Sequence, residues 1–139
     1  KYAPCKSQGN SSWVDGIGNA HSFSIGDTKH SQSKEIYAKV ASFDRQNLGD
    51  RYYCPSMKSA LQHVLDGRTM CCQCVKMAIA CGLINTHEGE SIHIMNTTCI
   101  CDECHLVTSN ISRLEKRKII IRDQSCLHVF FNGKCGYEE

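Results

Sequence analysis

Eleven cysteines among 139 residues constrain this chain more than any other feature of its sequence. A cysteine content of about 8% lies near the level that marks a disulfide scaffold or a metal-rich domain. Large aliphatic residues are scarce, so cross-links are expected to supplement a small core. Because the number is odd, at most ten cysteines can pair within the chain and one is left over.

Charge and hydropathy exclude several classes of protein. The formal net charge is only +2, which does not call for nucleic acid or an anionic membrane as a partner. No apolar run approaches 18 residues, so we expect no membrane insertion. The chain starts at Lys1-Tyr2-Ala3-Pro4 without a charged and apolar leader, and it reads as a mature chain whose leader has been removed.

Three Asn-x-Ser/Thr sequons bear on the compartment. They begin at Asn10, Asn96 and Asn110 and are candidate glycosylation sites. Together with the cysteine density they favour a secreted, extracellular glycoprotein. The alternative is a reduced intracellular protein whose cysteines bind zinc.

Helical patterns come first along the chain. After a loop-rich arm, residues 1–31, apolar spacing predicts helices from Ser33 to Gly49, from Pro55 to Gly67 and from Thr69 to Gly82. We expect Cys5 to tie the arm to the body. No repeat or linker divides residues 1–139, so the sequence predicts a single disulfide-rich domain.

The second half of the chain alternates like strands. Strands are predicted at 91–95, 105–108, 118–122 and 127–131, with one more at 21–25 in the arm, and Asn132-Gly133 is a strong hairpin signal. This order indicates an α+β fold. We expect two or three helices packed on a small antiparallel sheet of three to five strands, stabilised by disulfides.

The third helix is predicted to be the hub of the disulfide framework. Cys74 and Cys81 share a face but lie about 10 Å apart along the axis, too far to bond to each other. Adjacent Cys71 and Cys72 point in different directions, and Cys72 lies off the apolar stripe. We therefore expect Cys72 to be a free thiol or to link a homodimer. The ten disulfide candidates are Cys5, Cys54, Cys71, Cys74, Cys81, Cys99, Cys101, Cys104, Cys126 and Cys135.

A zinc site is the alternative use of these cysteines. Cys99, Cys101, Cys104 and His105 form a dense donor set that contains a Cys-x-x-Cys pair, and such thiolates and imidazoles are good zinc ligands. Apart from zinc, the sequence predicts no cofactor. A redox role would need the pair at the start of a helix after a strand, whereas here it lies among strand-like segments.

No catalytic signature is present, so we do not expect an enzyme. His93 and His128 lie on predicted strands, and if they faced one cleft they would suit acid–base cleavage of a phosphodiester. The plainer interpretation is that each is an ordinary strand residue. Lys116-Arg117-Lys118 with Arg122 forms a basic patch that is typical of a solvated sheet edge and that would also suit an acidic partner or an RNA backbone.

Tyr52-Tyr53-Cys54 resembles the Tyr/Phe/Trp-x-Cys pattern of small secreted effectors of rust and mildew fungi. That resemblance implies a virulence factor that acts on a host protein, and it adds to the zinc alternative, since some such effectors act in reducing cytosol. We therefore expect a secreted cysteine-rich binding protein, an effector, toxin or host-interaction factor. The alternatives are a small secreted hydrolase such as a ribonuclease and a zinc-stabilised intracellular binding module.

Overall fold

The computed structural model of the chain describes residues 10–24, 29–49, 70–100, 102–124 and 126–138. Three helices and six strands lie in these ranges. The predicted helix after Pro55 and the cysteines Cys5, Cys54 and Cys101 fall outside them. In chain order the elements are β1 Ser11–Val14, β2 Ala20–Phe23, α1 Ser33–Gly49, α2 Met70–Ile84, β3 Ile92–Asn96, α3 Asp102–Glu115, β4 Ile119–Arg122, β5 Leu127–Phe131 and β6 Lys134–Glu138.

The six strands form one mixed sheet in the order β2-β1-β3-β4-β5-β6. All neighbours are antiparallel except β3 and β4, which run parallel with Ile92 beside Ile119. Parallel neighbours need a long crossover connection, and α3 supplies it between them. The predicted α+β class is confirmed, whereas the prediction of a purely antiparallel sheet of three to five strands is wrong.

Several predicted elements are confirmed at nearly their predicted bounds. Helix α1 begins at Ser33 and buries Ile36, Val40 and Phe43 on one face, the spacing that predicted it. Strand β5 spans the predicted residues 127–131. The turn that follows it has positive φ at both Asn132 and Gly133, as a two-residue hairpin turn requires.

The predicted strand at 105–108 is wrong, because these residues belong to α3. The buried side chains of α3 include Cys104, Thr108 and Ile111, which follow the helical period and not strand alternation. Cys104, the second cysteine of the Cys-x-x-Cys pair, therefore lies in the first turn of a helix that follows β3. Strand β1 was not predicted, since its serines resemble a loop, yet Ser11 is buried and its hydroxyl donates to Asn96.

Helix α2 packs against the sheet at Gly82. A Cβ atom placed there would lie 2.7 Å from Ile92 Cγ2 and 2.9 Å from Trp13 Cδ1. Only glycine permits this approach, which brings the apolar helix onto β1 and β3 and closes the core.

No disulfide bond joins the cysteines whose side chains the structure describes, which are Cys74, Cys81, Cys99, Cys104, Cys126 and Cys135. The predicted disulfide-stabilised scaffold and its hub on α2 are therefore wrong for this part of the chain. A continuous apolar core, from Phe23 through Ile79 to Phe130, joins the sheet to the helices without such cross-links. The side chains of Cys71 and Cys72 lie outside the description, so the assignment of Cys72 as the leftover thiol stays a prediction. Within the described ranges, no helix has the length and apolar content needed to cross a bilayer.

Candidate metal centre

Three side chains from three elements converge beside the β5–β6 hairpin. His105 comes from the first turns of α3, His128 from β5 and Cys135 from β6, and their potential ligand atoms all lie within 4.8 Å of one another. His128 is buried, while His105 and Cys135 are half-buried. Two imidazoles and a thiolate are a donor set that zinc prefers.

The local sequence explains this convergence. Within the hairpin, Phe130 pairs with Cys135, so Cys135 points to the same face of the sheet as Phe130 and, two residues earlier, His128. Helix α3 covers that face, and the ring centroid of His105 lies 4.9 Å from that of Phe130 and 5.4 Å from that of His128. The tight turn at Asn132-Gly133 therefore fixes two of the three donors.

Asp123 holds the His128 ring. His128 Nε2 donates to Asp123 Oδ2 at 2.9 Å, and the same oxygen accepts from the amide of Ile100 at 3.2 Å. Asp123 Oδ1 accepts from the amide of Cys126 at 2.9 Å. With its Nε2 committed to a carboxylate, His128 would bind a metal through Nδ1, which is the carboxylate–histidine–metal arrangement of many zinc sites.

A second grouping, Asp123, Cys126 and His128, overlaps the first. It would bind a metal between His128 Nε2 and Asp123, the two atoms that the hydrogen bond already joins. It would also rely on Cys126, which is exposed. The geometry therefore favours His105, His128 and Cys135 as the ligands, with Asp123 as the orienting group. Burial raises the pKa of the Cys135 thiol, so a bound cation would be needed to keep it as the thiolate at neutral pH.

The zinc ligands predicted from the sequence are only partly brought together. Among them, His105 enters the cluster, Cys104 is buried in α3, Cys99 is exposed, and Cys101 lies outside the described residues. Sequence reasoning missed Cys135 as a partner of His128. The signal was present, because Asn132-Gly133 predicts a hairpin whose register places both residues on one face.

His93 and His128 do not share a cleft. His93 is paired with Ile120, which is paired with Val129, so these three point to one face of the sheet. His128 is paired with Ile121 and points to the other face. The pair required for acid–base cleavage of RNA is therefore absent from this arrangement.

The basic patch is divided between surface and interior. Lys116, Lys118 and Arg122 are exposed, whereas Arg117 is only 7% exposed. Arg117 donates from Nε to the carbonyl of Glu90 at 3.0 Å and from Nη2 to the Thr86 hydroxyl. Arg117 thus ties the β3–β4 edge to the end of α2, whereas the other three basic side chains lie at the surface.

The sequon asparagines lie in three different settings. Asn10 is exposed before β1, Asn96 donates from its amide to the carbonyl of Thr98 at 2.8 Å, and Asn110 is half-buried within α3.

Comparison with known proteins places this site in a family. Residues 52–139 match the DYW family of nucleic acid deaminases, and this segment contains all four residues of the centre. The chain belongs to the DYW family of nucleic acid deaminases. It is 38% identical over 129 residues to the mitochondrial pentatricopeptide repeat-containing protein At5g46460 of Arabidopsis thaliana, covering 91% of this chain and 18% of that protein. It is 34% identical over 119 residues to the chloroplastic pentatricopeptide repeat-containing protein ELI1 of the same plant, covering 84% and 19%.

These matches correct the main functional prediction. The resemblance to fungal effectors is wrong, and so are the predictions of a secreted toxin or virulence factor and of an extracellular location, since the relatives are plant proteins named as mitochondrial or chloroplastic. The expectation that nucleic acid is not a partner is also wrong, because the family is one of nucleic acid deaminases. The zinc alternative fits the family and the His/Cys cluster. The chain spans less than a fifth of the length of these relatives.

The sequence signature of nucleobase deaminases is present only in part. Such enzymes bind zinc through a histidine or a third cysteine together with a later Cys-x-x-Cys, and the glutamate of a His-x-Glu segment transfers the protons. Cys101 and Cys104 supply the second part. However, none of the seven histidines is followed two residues later by glutamate. The His105 centre does fit zinc, because its donors converge and one of them is held by a buried carboxylate.

Proposed function

We propose that this chain is a zinc-stabilised domain of a longer RNA-associated protein, and that it contributes binding and not deamination. The observation that carries the proposal is the convergence of His105, His128 and Cys135 inside the segment that matches the family. We further propose that residues 1–139 form one domain, which a single sheet running from Ser11 to Glu138 supports.

Zinc held by these residues would supply folding energy. A metal joining α3, β5 and β6 is a cross-link between elements distant in sequence, and metal binding of this kind is coupled to folding. This cross-link would stabilise the β5–β6 hairpin, as the disulfides were expected to do. Asp123 would fix the imidazole of His128 and increase its basicity as a ligand.

RNA is the proposed partner because of the relatives in which such domains occur. Pentatricopeptide repeats read single-stranded RNA at one base per repeat. A domain attached to an RNA-bound repeat array meets the RNA at high effective concentration, so weak contacts suffice. On the sheet face opposite α3, the alternating positions Lys118 and Arg122 are exposed, beside His93 and Met95 of the parallel strand. These two basic side chains are suited to phosphate contacts.

We also propose a mitochondrial or chloroplast location, as the names of the relatives suggest.

The absence of the His-x-Glu half of the deaminase signature supports a binding role. Without a His-x-Glu segment, the sequence offers no glutamate at the position that transfers protons in these enzymes. The chain retains the exposed bases and the second donor cluster, which are the parts that serve binding and folding.

Zinc content of the full chain tests the proposal. We expect Cys135→Ser and His128→Ala each to lose one equivalent of zinc, by elemental analysis, and to lower the unfolding temperature. The matched control is Cys99→Ser, which alters an exposed cysteine of the donor set that the sequence suggested. Zinc that is lost in Cys99→Ser and kept in both other variants would contradict the proposed ligands.

A further inference from the structure

A second convergence of metal-binding side chains lies at the opposite end of the sheet. His21 belongs to β2, His30 to the turn before α1, and Cys81 to α2. His21 Nδ1 lies 3.1 Å from His30 Nε2, and Cys81 Sγ lies 3.9 Å from the same nitrogen. All three ligand atoms lie within 4.8 Å of one another.

We propose that His21, His30 and Cys81 bind a second zinc ion, which joins the β1–β2 hairpin, α1 and α2. The site shares no residue with the His105 centre. Two of its ligands precede residue 52, where the match to the deaminase family begins.

The distances agree with tetrahedral coordination. Zinc bonds of about 2.0–2.1 Å to nitrogen and about 2.3 Å to sulfur separate two nitrogens by roughly 3.4 Å and a nitrogen from a sulfur by roughly 3.6 Å. The observed separations of 3.1 and 3.9 Å need shifts of only a few tenths of an ångström. A thiolate with two imidazoles selects zinc or copper over hard cations such as magnesium.

An orienting carboxylate is already in place. His21 Nε2 donates to Asp15 Oδ2 at 3.2 Å, which directs Nδ1 toward the cluster. The other oxygen of Asp15 accepts from the amides of Asn19 and Ile17 at 2.9 and 3.1 Å. This is the carboxylate–histidine arrangement seen at His128, built a second time.

Zinc binding would change the tautomer of His30 and one of its hydrogen bonds. Its Nδ1 accepts from the amide of Gln32 at 3.0 Å, which places the ring proton on Nε2, directed at His21. A metal on Nε2 moves that proton to Nδ1 and breaks the bond from Gln32, a half-buried residue at the start of α1. The Cys81 thiol loses its proton to solvent, so zinc binding releases one proton in total. One neutral hydrogen bond is small beside the metal–ligand bonds that replace it.

The cluster has three protein ligands, and a water molecule is the natural fourth, since both histidines are half-buried. Cys81 is fully buried, and Asn85 Nδ2 lies 3.6 Å from its sulfur as a donor that can stabilise the thiolate. Asp15 and Asn85 are thus placed to support the coordinated imidazole of His21 and the thiolate of Cys81.

Zinc stoichiometry of the full chain, reduced and reloaded with zinc alone, tests the proposal. We expect Cys81→Ser and His30→Ala each to lose one equivalent, and the double variant to lose the same single equivalent. The matched control His93→Ala, an exposed histidine of β3, should keep the wild-type content. Wild-type zinc content in both Cys81→Ser and His30→Ala would overturn the second site.

The two zinc sites can be separated. A loss in Cys135→Ser should add to the loss in Cys81→Ser; a loss in only one of the two variants supports that site and rejects the other. If Cys81→Ser does not fold, zinc titration of the wild type followed by NMR decides. The ring signals of His21 and His30 should shift while that of His93 does not, and unshifted signals of His21 and His30 would overturn the proposal.

Discussion

His128 donates a hydrogen bond from Nε2 to Asp123 Oδ2 over 2.9 Å, and the two side chains are only 8% and 3% exposed. A buried carboxylate that is shared by an imidazole and two backbone amides fixes the ring in one tautomer. The same relationship recurs between the half-buried side chains of His21 and Asp15. Both histidines thereby present Nδ1 to a group containing a second histidine and a cysteine.

Asp123→Asn should weaken zinc binding at the His105 centre. The amide would place its NH2 group against either His128 Nε2–H or the backbone N–H of Cys126, and two donors cannot form a hydrogen bond. The side chain would therefore no longer hold the His128 ring in a fixed orientation. Loss of an orienting partner typically lowers metal affinity by about 10–100-fold. Competition with a chromophoric chelator measures this affinity. Glu88→Gln, at an exposed position after α2, is the control and should leave it unchanged; equal affinities in all three proteins would exclude the orienting role of Asp123.

Gly82→Ala should destabilise the fold. The added methyl group would meet Ile92 and Trp13 at distances below 3 Å, so α2 must move away from the sheet. Overpacking of this kind costs about 1–3 kcal/mol of unfolding free energy. Chemical denaturation measures it, and Gly16→Ala, where nothing lies within 4 Å, is the control. An unchanged midpoint for Gly82→Ala would show that the close contact between α2 and β3 is incorrect.

Arg117→Ala and Lys118→Ala should separate stability from RNA affinity. Arg117 is buried and donates to Glu90 and Thr86, so its removal should cost roughly 1.5–3 kcal/mol of unfolding free energy. Lys118 is exposed, so its removal should leave stability within about 0.5 kcal/mol. It should instead weaken binding of single-stranded RNA and reduce the salt dependence by about one phosphate contact. Unfolding curves and RNA titrations at several salt concentrations measure both, and unchanged RNA affinity in Lys118→Ala would remove this residue from the proposed surface.

The full chain should not deaminate RNA. It lacks the His-x-Glu segment that supplies a zinc ligand and the proton-transferring glutamate. Incubation of the zinc-loaded protein with single-stranded RNA, followed by sequencing, should show cytidine and adenosine unchanged relative to a sample without protein. Conversion of either base that disappears in Cys104→Ser would mean that the chain assembles a catalytic centre from other residues.

Much of the fold could be predicted because its signals are local. The apolar face of α1, the β-branched run of β4 and the Asn132-Gly133 turn each lie within a few residues of sequence. Two failures came from short windows. His105-Leu106-Val107-Thr108 fits both a strand and a helix, and only the burial of Thr108 and Ile111 along α3 distinguishes them. The serines of β1 join the sheet because β3 offers a partner strand that no local pattern reveals.

The site was less predictable than the fold, because its ligands come from distant elements. His105 and Cys135 are thirty residues apart, and only the parallel crossover through α3 brings them together. The cysteine count misled the compartment prediction, since cysteines suit disulfides and zinc equally well when spacing is irregular. Asp15 and Asp123 carried no sequence signal, because an orienting carboxylate is defined by a hydrogen bond and not by a motif.

The central claim is tested most directly by an anomalous difference map. The map is calculated from diffraction data that are collected above and below the zinc absorption edge from crystals of the chain. We expect a peak between His105 Nε2 or Nδ1, His128 Nδ1 and Cys135 Sγ, about 2.0–2.1 Å from each nitrogen and about 2.3 Å from the sulfur. A second peak among His21, His30 and Cys81 would support the further site independently. A well-ordered β5–β6 hairpin with no zinc peak beside Cys135, in crystals grown with zinc, would contradict the account of this chain as a zinc-stabilised domain.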